Sequence, residues 1–107
     1  MRFTNLDGFT TGRKTVAVPG TAEQLSSTST KLPPGVTLLI KAMSSNTGTI
    51  HLGNSLANAD SATSTVSFRL AQNQSLSLDS VQNLNQIWVD ATVAAEGVEF
   101  VFEGQAT

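Results

Sequence analysis

The chain has 107 residues, a formal charge of −2, 39% hydrophobic and only 13% charged residues, which suits one small domain and is too little for two. No cysteine and a single histidine, His51, exclude disulfides, thiol chemistry and a histidine-rich metal site. The slight acidic excess offers nothing to attract nucleic acid or an anionic membrane. Ser, Thr, Asn and Gln account for 39 residues, a composition that predicts strands and turns over charge-paired helices. No apolar run reaches the length of a membrane span, and the first residues lack a signal-peptide layout.

Met1 to Gly12 shows no clean period. Phe3, Leu6 and Phe9 recur every third residue among Thr, Asn, Asp and Gly, and Thr10-Thr11-Gly12 reads as a break. Residues 1–13 are therefore expected to form an arm ahead of a domain over 14–107. The arm either docks on a partner through Phe3, Leu6 and Phe9, with Arg2 and Arg13 near its ends, or folds over its own core.

Lys14–Val18 is the first strand-like run, closed by Pro19-Gly20, and Glu23–Ser27 reads as a short edge strand. After the turn at Pro33-Pro34-Gly35 comes the clearest strand, Val36–Met43. Val36, Leu38, Ile40 and Ala42 line one face, and Thr37, Leu39, Lys41 and Met43 the other. That second face is half apolar and suits a contact surface. Asn46-Thr47-Gly48 has hairpin chemistry, and Thr49–Gly53 returns with Ile50 and Leu52 inward and His51 outward.

Asn54–Thr65 is a loop of small residues, followed by a strand at Val66–Leu70, a turn at Ala71–Gln74 and a strand at Ser75–Leu78. Leu84 plugs the polar loop Val81–Asn85. Gln86–Val93 and Val98–Glu103, joined by Ala94-Ala95-Glu96-Gly97, read as a C-terminal hairpin with Ile87, Val89, Phe100 and Phe102 buried. About seven or eight short antiparallel strands at this spacing predict an all-β sandwich or jelly-roll.

Catalytic groups are sparse. Asp60, Asp79, Asp90 and Glu96 fall on separate loops and strands and do not converge as an acid–base pair would. No nucleophile elbow, phosphate-cradling loop or calcium loop is encoded. Neither enzyme activity, a metal nor a cofactor is expected. His51 and Asp90 are expected on exposed strand faces. Trp88, with Leu39 and Met43, occupies outward positions that predict an apolar contact patch.

Three stretches, GTAEQLSSTST (Gly20–Thr30), LIKAMSSNTGTIHLGNS (Leu39–Ser55) and LNQIWVDATVAAEGVEFVFE (Leu84–Glu103), resemble small virion proteins of tailed bacteriophages. The likeness lies in the order of an apolar strand, an N-T-G turn, G-N-S, and V-D-A ahead of a G-V turn. It covers most of the chain from Arg13 onward. Where those proteins carry a glycine-proline or proline-glycine turn ahead of the SLSL-like strand, this chain has Ala71-Gln72-Asn73-Gln74. The resemblance implies a β-sandwich or jelly-roll structural component of the particle. The expected role is a capsid decoration (cement) protein on the capsid exterior, a homotrimer bound to the major capsid protein. A carbohydrate- or receptor-binding module of a phage tail or fibre, built on Trp88 and Asp90, is the alternative.

Overall fold

Among the described residues the alternating apolar positions resolve into eight short strands and two single helical turns. The computed structural model describes residues 8–104. The strands are β1 (Phe9–Thr15), β2 (Glu23–Gln24), β3 (Leu38–Ala42), β4 (Ile50–Gly53), β5 (Phe68–Leu70), β6 (Ser75–Leu78), β7 (Trp88–Ala91) and β8 (Gly97–Glu103). One α-turn, α1 (Leu56–Ala59), is capped by the Ser55 hydroxyl, and a 3-10 turn spans Leu84–Gln86. All strand pairs are antiparallel, in two four-stranded sheets ordered β1-β8-β3-β6 and β2-β7-β4-β5.

The ladder joins β1 to β8, β2 to β7, β3 to β6 and β4 to β5. This is one long hairpin of strands rolled up so that its halves alternate between two sheets, the jelly-roll order. The expected all-β sandwich is the fold. Its core lies between the inner faces, where Leu38, Ile40, Val98 and Phe102 of the first sheet meet Ile50, Leu52, Leu70 and Val89 of the second. Leu25, Leu32 and Leu84 seal it from the connections. Burying a large aliphatic or aromatic side chain contributes about 1.5–3 kcal/mol.

Two sequence expectations are corrected. The Asn46-Thr47-Gly48 and Ala94–Gly97 turns do not close hairpins, because β3 and β8 lie in the first sheet while β4 and β7 lie in the second. Each turn is an arch that carries the chain across the core. Period-two burial cannot tell the two cases apart, since strands facing each other and strands lying side by side both bury every second residue.

The arches support each other. The buried Asn46 side chain donates to Gly97 O at 2.8 Å and accepts from Gly97 N–H at 3.3 Å. Glu96 accepts from Gly48 N–H, Thr47 N–H and the Thr47 hydroxyl at 2.7–2.8 Å. The Gly48 and Thr47 N–H groups accordingly hold the Glu96 carboxyl below its usual range.

The second correction concerns residues 9–13, expected in the arm. They form most of β1 and pair with Glu103 through Glu99 of β8. Thr10-Thr11-Gly12 is no break. Threonine suits a strand, and Gly12 is needed because a Cβ there would lie 2.3 Å from the Phe100 ring, which rests on its bare backbone. Lys14–Val18 contributes only its first two residues to a strand. Arg2, Phe3 and Leu6 lie outside the described residues.

Candidate functional site

The outer face of the first sheet is open. Cross-strand registry puts Thr11, Val101 and Leu39 in one row, and Arg13, Glu99 and Lys41 in the next. Together with Gly12 and Phe100 they line a shallow trough of about 560 Å³. Phe9 stands at one end of this face, 68% exposed, and Leu39 is 37% exposed. Arg13 and Glu99 meet at 3.2 Å with both side chains largely in solvent. Such a pair contributes at most about 1 kcal/mol, so these groups remain free to re-pair with a partner. The outward positions of VEFVFE were the signal that could have added Val101 to Leu39.

The outer face of the second sheet is covered. Asp90, expected to be exposed, is 0% exposed. Its Oδ1 accepts from Gly20 N–H at 3.1 Å and from Ala91 N–H at 2.8 Å, and Oδ2 accepts from Ser61 N–H at 2.7 Å. One carboxylate thus ties the Pro19-Gly20 turn and the 54–66 loop to the sheet. A charge is tolerated in such a place when hydrogen bonds replace its water. Nothing in the local sequence announces this, because the two loops arrive from 70 and 29 residues away.

His51 is corrected in the same way: it points away from the core but is buried. It stands opposite Asp90 on β7 and Arg69 on β5, and its Nδ1 lies 2.7 Å from Ser67 Oγ. Serine, histidine and aspartate do come together here. Asp90, however, spends its oxygens on backbone N–H groups instead of orienting the imidazole. A triad needs that orientation, and an open position beside the hydroxyl. Among the described residues, no cluster of three His, Asp or Glu forms a metal cage.

Burial lowers the His51 pKa below 6.5, the Arg69 charge adds to the shift, and Asp90 opposes it. The unfolded chain therefore binds the proton more readily than the folded one. The resulting stability is fully present above pH 6.5 and declines as pH falls toward the folded value. Melting curves at about pH 7.5 and 5.5 should show a drop that His51→Gln removes. An equal drop in the variant would assign it to another group.

The expected apolar patch is divided. Leu39 lies on the open face of the first sheet, whereas Trp88 lies on the far side of the sandwich, opposite Gly53 and Gln24. Trp88 is half-buried, and α1 approaches so closely that a Cβ on Gly53 would meet Ala59 N at 2.6 Å. Met43 is half-buried just beyond the end of β3, where its N–H donates to Gly97 O. These three residues cannot touch one flat partner together. The rows of the first sheet replace them as the candidate surface. No known family model matches the chain, and neither a curated protein nor a solved structure does.

Proposed function

We propose that this chain is a non-enzymatic virion structural protein of a tailed bacteriophage, a decoration protein that binds the assembled head. The observation that carries the reading is the contrast between the two outer faces. One sheet is covered by its own loops, while the other leaves Phe9, Leu39, the half-buried Val101 and a weakly paired charged row facing a partner. The resemblance of the Leu39–Ser55 and Leu84–Glu103 stretches to phage virion proteins supplies the class of partner, the major capsid protein. A small sandwich gains stability from assembly, because small domains bury a smaller share of their surface alone.

The jelly-roll order serves viral capsid and lectin domains alike, so the fold does not choose between decoration and sugar binding. The site does. A sugar platform on Trp88 and Asp90 needs an accessible carboxylate, and the oxygens of Asp90 are engaged by Gly20, Ser61 and Ala91.

Quantitative mass spectrometry of purified particles tests the reading. A decoration protein is expected at a copy number comparable to that of the major capsid protein. Leu39→Glu, a change at a partly exposed position, is expected to abolish binding to undecorated heads with the fold intact. A few copies per particle would move the protein to the tail or fibre, and absence from particles would end the virion reading.

A further inference from the structure

The edges of the two sheets are protected unequally. On one side of the sandwich the edges are β1 and β2, and that side is closed. Lys14 Nζ lies 2.8 Å from Glu23 Oε1, and Ala17 N–H donates to Glu23 Oε2 at 3.0 Å. The lysine holds the Glu23 carboxyl below its usual range. Strand β2 is two residues long, and β1 carries Arg13 and Lys14. Short strands and edge charges are what keep a sheet from pairing with another chain.

On the other side the edges are β5 and β6. Strand β5 carries Arg69, but β6, Ser75-Leu76-Ser77-Leu78, has neither charge nor proline. Between them the sandwich gapes into a cleft of about 400 Å³ bordered by Leu52, Phe68, Leu76, Leu78, Val81 and Ile87. Phe68 shares the core-facing row with Leu52 and is nevertheless 53% exposed; Val66, two residues earlier, is 68% exposed. An apolar gap beside an unguarded edge is the arrangement that takes an added strand.

The sequence of β6 indicates which strand. Ala42 N–H donates to Gln74 O, and main-chain direction alternates along an antiparallel ladder. Leu76 and Leu78 therefore turn their N–H and C=O groups toward β3, while those of Ser75 and Ser77 point out from the edge. A second β6 laid antiparallel about a two-fold axis through Ser77 satisfies both copies. Each Ser77 N–H meets the other Ser77 carbonyl, and each Leu76 faces Leu78 of the other copy on the core side. The serines stay together on the outer side, because a Ser-Leu-Ser-Leu strand is its own complement in this register. No like charges meet within β6, whereas the same operation about Arg13 of β1 would set that guanidinium against its copy.

We infer that β6 is a self-association edge, through which two copies of this chain join their first sheets into one continuous sheet and close the cleft beside Phe68. This pairing belongs to the free protein and does not depend on a capsid. It is a two-fold contact, distinct from the trimer that the resemblance implies.

Sedimentation equilibrium of the full chain should give twice the 11.2 kDa chain mass. Ser77→Lys changes an exposed side chain and sets two ammonium groups face to face. It should weaken the dimer at least tenfold while keeping the strand signature in circular dichroism. Ser77→Cys supplies the only thiol in the protein. Directly opposed, hydrogen-bonded residues stand about 5.5 Å apart at Cα, within disulfide range. This variant should link to itself under mild oxidation, and Thr28→Cys, in an exposed loop, should not. A monomer at every concentration, a trimer, an unweakened Ser77→Lys dimer, or a Ser77→Cys dimer that does not link would each overturn the two-fold pairing.

Discussion

Asp90→Ala is expected to cost about 3–5 kcal/mol and to lower Tm by roughly 10–20 °C. The carboxylate is fully buried and satisfies three backbone N–H groups, those of Gly20, Ser61 and Ala91. Alanine leaves all three without a partner, and a buried orphan donor costs about 1–3 kcal/mol. Asp90→Asn should fall between, because the amide keeps one acceptor oxygen and presents N–H to N–H on its other side. Hydrogen exchange should locate the loss at the Pro19-Gly20 turn and the 54–66 loop, with the core slower to open. A thermal shift of a degree or two for Asp90→Ala would mean that water replaces the carboxylate and the loops are held by other contacts.

Phe102→Ala is the second large effect, about 3–5 kcal/mol. The ring is 1% exposed and sits in the core cluster, so its removal leaves a cavity that neighbouring side chains on two hydrogen-bonded sheets cannot readily fill. Phe100, two residues away on the same inward row, is only half-buried and lies over Gly12 near the sheet edge. Phe100→Ala should therefore cost clearly less. Urea unfolding of the two variants gives the comparison directly, and equal losses would contradict this placement of the rings. The sequence reading treats both phenylalanines as equally buried, because alternation reports which face a residue is on and not how deep it lies.

The strands themselves were legible. The inward rows Leu38-Ile40-Ala42, Ile50-Leu52 and Val98-Phe102 follow from period two alone, and the Leu84 plug follows from one apolar residue in a polar loop. The candidate surface was half legible, since Leu39 stands out on an outward position while the sequence around Phe9 reads as an arm. The clamp at Asp90 and the burial of His51 were not legible. Their partners are distant in sequence, and a carboxylate on an outward position looks the same whether water or a loop lies above it.

What the amino-acid sequence determined by itself was local: which segments extend, which side chains face the core, and where the chain turns. Those outcomes rest on alternation, on β-branched and aromatic content, and on turn residues acting within a few positions. Only the tertiary structure decided which strands share a sheet, which outer face stays open, and that the turns at Asn46 and Ala94 are arches. Each of these depends on hydrogen bonds between residues tens of positions apart, such as Asn46 with Gly97 and Gly20 with Asp90. No short window of sequence contains both partners of such a bond.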